Sequence, residues 1–502
     1  MRVIFASLLI FGFFQTEGFS ADILVRRKSA SSIQMRQYGQ RRVQENTDKI
    51  TAVKFSSEEE KQNYIQNLDP SETEWEENIT YSGSDYSLNA QVQAEVASEV
   101  EKDPLLANQW SLFSSTTDPN KFSGVDIDAI RAWNITTGSD NTIVYIMDSG
   151  IVQGAEPDLQ GRVTSYFDAL NPGQFPVDQN SHGTHVASIV SAIGDNKYGI
   201  KGVVPGKIQL GIARFLNASN QGNTDSAIQG IDWILSDYQS RLINNPSLLC
   251  IVSNSWDGGY SSFLEDEMAK LKNAGCFLVL SAGNNGRNND QVPDYPCNFA
   301  KLKGGSICVA ATDANDKRAS FSSYGPKSVD IYAPGTQILG IVPGIMQGSQ
   351  YVSRYEQKDG TSQAVPHIAG VADLIWSANP KLTQSDVYNI LVKSVDRLPG
   401  ADSEVASGGR VNAYRAVLMA TGQDPSLADR GLNSQAAGGG GGCDLSHSKQ
   451  NATSSNWFVE IGLSLLLLFW LRRNAIAAFQ LRADKALRAR DRLQNDVDAK
   501  NL

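Results

Sequence analysis

Between about residues 104 and 425 the chain repeats one unit. A short Val-, Ile- and Leu-rich run is closed by a polar turn, and a longer stretch with apolar residues at helical spacing follows. This alternation constrains the fold more than any other feature. Parallel strands cannot be joined by a tight turn, so each needs a helical crossover that covers a face of the sheet. The predicted strands are 142–147, 209–214, 248–253, 277–281 and 306–311. The predicted helices are 184–191, 224–236, 265–274, 362–378 and 383–394. The fold class expected is α/β, with a parallel sheet flanked by helices and a ligand edge at the carboxyl ends of the strands.

The unusual polar residues fall at that edge. Gly360-Thr361-Ser362-Gln363-Ala364-Val365-Pro366-His367 leads into the apolar run 368–376, which predicts a serine at a helix N-terminus, in the positive end of the helix dipole. Pro366 is expected in the first turn, where its missing N–H costs nothing. Asp148 follows the strand run Ile143 to Met147. His182 lies in Ser181-His182-Gly183-Thr184-His185 at another helix start, and Asn284 follows the run 277–281 in Ser281-Ala282-Gly283-Asn284-Asn285-Gly286. Taken singly, these are an N-cap serine, a turn aspartate, a solvated histidine and a turn asparagine. Together they supply a nucleophile, a base, an acid and an amide donor at strand ends and helix starts of one domain, the set that acyl transfer requires. A metal site at His182 and His185 is disfavoured, because no cysteine or carboxylate cluster supports the pair.

On these residues the chain resembles the subtilisin-like serine proteases. The resemblance runs through Ile146-Met147-Asp148-Ser149-Gly150-Ile151, through Ser181-His182-Gly183-Thr184-His185-Val186-Ala187 and through the Ser362 motif, in the order Asp, His, Ser. It implies a seven-stranded parallel sheet and endopeptidase activity on protein or peptide substrates. Asp148, His182 and Ser362 would form the triad, with Asn284 at the oxyanion. Substrate-binding backbone is implied at Ser255, Trp256, Asp257 and Gly258, with Asp257 where the family usually has glycine. Pro293-Asp294-Tyr295-Pro296 is similar to the base of the family's primary specificity pocket. Asp294 stands there in place of a small neutral residue, which implies a preference for Lys or Arg. The resemblance makes residues 21–103 an inhibitory propeptide whose acidic segment before Asp103-Pro104 threads the active site, with 104–425 the catalytic domain. It also implies a structural calcium ion at Asp158 and Asn196; the chemistry itself requires no cofactor. The rival reading is a catalytically inactive binding or adhesion module of the same fold, which would not need all four site residues. A non-protease α/β-hydrolase is excluded, since Ser362 lacks the Gly-x-Ser-x-Gly elbow.

The remaining sequence concerns location and processing. Arg2, the apolar run 3–14 and the small residues Gly18, Ser20 and Ala21 read as a signal peptide over 1–20. Within 21–103, strands are expected at 22–25 and 49–55 and helices at 31–42 and 57–68, followed by a looser acidic segment. Residues 426–456 read as a Gly-rich linker and 457–474 as a transmembrane or sorting segment. Arg472 and Arg473 flank a basic cytoplasmic tail over 475–502, so a secreted or cell-surface, membrane-anchored protein is expected. The net charge of -10 argues against nucleic acid as a partner. Of five cysteines, Cys297 and Cys308 are the preferred bridge; Cys250 and Cys276 could form a second bridge or remain two buried thiols, and Cys443 is odd.

Overall fold

The structure is a computed structural model that describes residues 23–27, 50–55, 58–68, 73–83, 86–91, 103–114, 124–152, 156–348 and 350–431. The signal peptide, the helix expected at 31–42, the segments 457–474 and 475–502, and Cys443 lie outside the described residues. Among the described residues no helix is long and apolar enough to cross a membrane.

An antiparallel sheet opens the chain. Strand β1 (Ile23–Arg27) lies between β2 (Ile50–Val53) and β3 (Thr73–Glu77), and helix α1 (Glu58–Gln66) joins the last two, as a small α+β unit requires. Two further strands follow, β4 (Thr80–Gly83) and β5 (Tyr86–Gln91).

The large unit then runs α2 (Ala129–Trp133), β6 (Thr142–Asp148), β7 (Val163–Asp168), α3 (His182–Ser191), β8 (Gln209–Arg214), β9 (Gln221–Asn223) and α4 (Thr224–Asn244). Next come β10 (Leu249–Asn254), β11 (Trp256–Gly258), α5 (Ser262–Asn273), β12 (Cys276–Ser281), β13 (Ser306–Thr312) and β14 (Ile331–Pro334). A hairpin of β15 (Ile338–Gln347) and β16 (Gln350–Asp359) leads into α6 (Thr361–Ala378), and α7 (Gln384–Lys393), β17 (Asp396–Arg397), β18 (Gly409–Arg410) and α8 (Ala413–Ala420) complete it.

The main sheet has the order β17-β18-β14-β13-β12-β10-β6-β8-β7. Its seven strands from β14 to β7 are parallel, as the resemblance implied; two-residue strands extend one edge to nine, the outermost antiparallel. Side chains of β6 alternate between the two faces, as strand geometry demands. Val144 and Ile146 pack into the core shared with α3, α6 and α8, while Ile143, Tyr145 and Met147 pack with α4 and α5. Burial on both faces is why these strands read as unbroken apolar runs.

The segment 69–103, expected to be loose, holds three strands. Their partners come from far along the chain, so polar residues form strands without a local apolar pattern. The edges β9 and β11 flank β4, and β16 carries β5. The small unit also satisfies helix ends of the large one. Glu76 accepts hydrogen bonds from the backbone of Ser262 and Phe263 at the start of α5, at 3.0 and 3.3 Å, and Ile79 O accepts from Thr224 N, at 2.7 Å, at the start of α4. These are donors that a helix start leaves open, and the carboxylate adds a favourable charge at the dipole's positive end.

Two disulfides are present. Cys297–Cys308 is as expected. Cys250–Cys276 settles the open pairing as a bridge: the two residues are directly opposed on β10 and β12, with Cα atoms 4.4 Å apart.

Candidate active site

Asp148 is the last residue of β6, His182 the first of α3 and Ser362 the second of α6. All three are buried. Asp148 Oδ1 lies 2.7 Å from His182 Nδ1 and also accepts from Ser149 N at 2.6 Å. The imidazole is therefore oriented through its Nδ1. Gly183 has to be glycine here, since a Cβ would meet Gly150 O at 2.3 Å and Asp148 Oδ1 at 3.1 Å.

Sequence reasoning missed Asp178, which organises this corner. Its carboxylate accepts from Thr184 N and Thr184 Oγ1 through Oδ2, at 2.9 and 2.6 Å. Through Oδ1 it accepts from Ser149 Oγ and Ser181 N, at 2.9 and 2.8 Å. It thus closes the open N-terminus of α3 from four residues upstream and joins it to the Asp148 turn. Ser181, next to His182, is held at φ 89°, a costly left-handed conformation for a residue other than glycine. The signal available was an aspartate just ahead of a polar helix start.

Pro366 lies in the second turn of α6 rather than the first, because the helix begins at Thr361. Its missing N–H leaves Ser362 O without the usual i→i−4 donor. Ser255 Oγ supplies that donor at 3.0 Å, and Ser362 Oγ in turn donates to Ser255 O at 2.9 Å. The hydrogen bonds between Ser255 and Ser362 pin the start of α6 to the end of β10. Asn284 is fixed from the other side: its Oδ1 accepts from both Thr361 N and Thr361 Oγ1, each at 2.9 Å. With its carbonyl held, the amide is the end left to donate. Asn289, also missed, supports this loop by donating from Nδ2 to Ala282 O at 2.8 Å.

The implied substrate edge is occupied by the chain itself. Gly83, Ser82 and Tyr81 of β4 oppose Trp256, Asp257 and Gly258 in antiparallel register, and the other side of β4 pairs with β9. Tyr81 is fully buried, edge-on to Trp256 with ring centroids 5.3 Å apart, and donates from Oη to Gly259 O at 3.2 Å. Asp257 is not among the positive-φ residues, so aspartate is accommodated where glycine was expected, and β11 keeps its register.

Asp294 is buried, 4% exposed. A Cβ placed on Gly283 would meet Asp294 Oδ2 at 2.5 Å and Asp257 Oδ2 at 2.9 Å, so both carboxylates converge on Gly283. Burial pushes the Asp294 carboxyl above the usual aspartate range, opposed by the Arg287 guanidinium, whose Nη2 stands 3.5 Å from Oδ2.

Asp158 and Asn196 are brought together, but they bond to one another. Asn196 Nδ2 donates to Asp158 Oδ1 at 2.8 Å, Ile200 N donates to Oδ2 at 2.9 Å, and Asn196 Oδ1 accepts from Tyr198 N at 2.8 Å. Burial raises Asp158 to about 7. With its oxygens engaged by protein donors and no group of three or more His, Cys, Asp or Glu poised for a metal among the described residues, this arrangement does not fit the implied calcium ion.

A carboxylate-oriented imidazole and a serine, each at a helix start of one parallel α/β unit, are the groups that a serine hydrolase of this fold would use. Residues 139–424 match the Subtilase family, and the chain belongs to it: it is a subtilisin-like serine endopeptidase. It is 35% identical over 291 residues to the thermitase of Thermoactinomyces vulgaris, covering 58% of this chain and 93% of that one. It is 31% identical to the thermostable alkaline protease of Halalkalibacterium halodurans, over 72% of this chain and 93% of the relative. A solved structure of a protease from Pseudoalteromonas arctica, 25% identical, superposes with a TM-score of 0.50, covering 64% of this chain and 99% of the other.

Proposed function

We propose that this endopeptidase is an exported zymogen that cuts its own chain between β4 and β5, with Asp148, His182 and Ser362 as the triad and Asn284 as oxyanion donor. Ser362 Oγ exchanges its bond to Ser255 O for one to His182 Nε2, which takes the proton as Oγ attacks the substrate carbonyl. Asp148 holds the imidazolium, and Asn284 Nδ2 meets the oxygen as it becomes negative. Collapse breaks the C–N bond; the leaving amine takes the proton from His182, and water then repeats the sequence on the acyl-enzyme.

The observation that carries the zymogen reading is β4 itself. An extended segment of the chain lies between β9 and β11 as a substrate would, ending at Gly83 opposite Trp256. On this reading the inhibitory segment is β4, about twenty residues before the Asp103-Pro104 boundary expected from sequence. Export, with retention at a membrane through 457–474, rests on the sequence pattern; removal of residues 457–502 is expected to release active enzyme from the membrane fraction.

The deciding experiment compares the full chain with its Ser362→Ala variant by fluorophosphonate labelling and N-terminal sequencing. Wild type is expected to label and to lose its N-terminal region, and the variant to do neither. A Ser362→Ala chain that matures in isolation would refute self-processing, and an unlabelled wild type would favour the inactive binding module.

A further inference from the structure

Ser181 directly precedes His182 and is the N-cap of α3, yet its hydroxyl does no capping. A serine at that position ordinarily turns Oγ back to accept an N–H of the first turn. Here Asp178 takes that place, with its carboxylate on Thr184 N and on Ser181 N, so the Ser181 hydroxyl serves another partner. That partner is Lys358 near the end of β16, whose Nζ donates to Ser181 Oγ at 3.0 Å. The backbone of Ser181 stands at φ 89° and ψ -9°, a left-handed conformation that glycine adopts freely and serine does not. Such a conformation persists only where its surroundings over-determine it. Two of the restraints lie within the corner itself, Ser181 N donating to Asp178 Oδ1 at 2.8 Å and His185 N to Ser181 O at 3.2 Å. The third, the lysine, comes from 177 positions further along the chain.

We infer that Lys358 is a positioning residue for the histidine of the triad: by holding Ser181 it sets the angle at which His182 leaves the backbone, and it sets that angle relative to Ser362. The second half follows from where Lys358 stands. It lies four positions before Ser362, on a segment fixed residue by residue. Asp359 Oδ1 accepts from Gln337 N at 2.5 Å, Gly360 N donates to Gly335 O at 2.8 Å, and Thr361 N donates to Asn284 Oδ1. The hairpin is also braced on α3 itself. His185 Nε2 lies 3.1 Å from Glu356 O, and Ile341 N donates to Ser188 Oγ at 2.9 Å. Gly340, opposite Glu356 on β15, permits this approach, since a Cβ there would meet the His185 ring at 2.6 Å. Lys358 is therefore anchored at its root to the strand that leads into α6 and at its tip to the residue that opens α3. Its side chain is half-buried, and an ammonium donating to a hydroxyl makes a stronger bond than two neutral groups would. In the proposed mechanism His182 has to meet Asp148 through one ring nitrogen and Ser362 through the other, so a small rotation at Ser181 is felt at the reacting proton.

The inference rests on the reading of His182 as the base. The test uses enzyme matured from the full chain, and variants that process slowly are matured by immobilised wild-type enzyme, which is then removed. It measures kcat and KM on a chromogenic peptide, the rate at which a fluorophosphonate labels Ser362, and melting curves. Lys358→Met is expected to lower kcat and the labelling rate by roughly tenfold, the scale of one hydrogen bond to a charged group, with KM within about twofold. Lys358→Arg should recover most of that loss. Ser181→Ala should cost the same factor, and adding Lys358→Met to it should cost nothing more. Ser181→Gly separates aiming from folding. Glycine accepts the left-handed backbone, so this variant should melt above Ser181→Ala while its kcat is equally low. A loss carried by KM, factors that multiply in the double variant, or rates that follow the melting temperatures would overturn the inference. His182→Ala tests the reading beneath it. If that variant keeps wild-type turnover, the base lies elsewhere and both fail; if it is inactive while Lys358→Met turns over like wild type, the positioning role alone fails.

Discussion

Removing the hydroxyl of Thr361 should slow catalysis only through Asn284. The Asn284 carbonyl takes two hydrogen bonds from Thr361, from N and from Oγ1, each 2.9 Å long, and these aim the amide. Thr361→Val removes one of them. A neutral hydrogen bond contributes about 1 kcal/mol net, so the aimed amide is depopulated and kcat falls by roughly fivefold. Asn284→Ala removes the donor altogether and should lower kcat by roughly 100- to 1000-fold with little change in KM. Once the amide is gone its aim no longer matters, so the double variant should match Asn284→Ala within about twofold. Steady-state kinetics on a chromogenic peptide, with melting curves to confirm folding, complete the cycle, and Thr361→Ser should restore the wild-type rate. The reasoning is refuted if Thr361→Val slows the Asn284→Ala enzyme by its full factor, or if Asn284→Ala stays within a few-fold of wild type.

Asp294→Ser should reduce kcat/KM for Lys or Arg before the scissile bond by about tenfold or more relative to Leu, the scale of a charge-assisted hydrogen bond; a peptide library that ranks residues identically for both enzymes would remove Asp294 from the pocket. Asp373, wholly buried in α6, is raised by desolvation to about 8, whereas an unfolded aspartate titrates near 4. The unfolded chain binds fewer protons than the folded one between those values, so this group lowers stability as pH rises from about 4 to 8. Asp373→Asn should therefore stabilise the protein at pH 8, by on the order of a few kcal/mol, and not at pH 4; denaturant melts with equal gains at both would contradict this. Because Asp158 and Asn196 satisfy one another, EDTA is expected to leave the melting temperature unchanged, and a fall reversed by added calcium would place an ion there.

Much of the large unit is determined by short-range information. The predicted strands lie within two residues of β6, β8, β10, β12 and β13 because a strand covered on both faces must be apolar at nearly every position. Helix ends were less legible: α4 continues to Asn244, eight residues past the expected end, as its exposed face turns polar. Asp148, His182, Ser362 and Asn284 stood out because turn glycines and helix starts mark strand ends locally. Only the tertiary structure decided what depends on partners distant in the chain. Cys250 and Cys276 become a disulfide through the register of β10 on β12. Pro366 is tolerated in the second turn because Ser255, 107 positions earlier than Ser362, donates to the carbonyl it leaves open. The polar strands β4 and β5 carry no apolar period to announce them, since their backbone partners are contributed by β9, β11 and β16, and a hydrogen-bonded edge has no signature in the sequence of the segment that joins it.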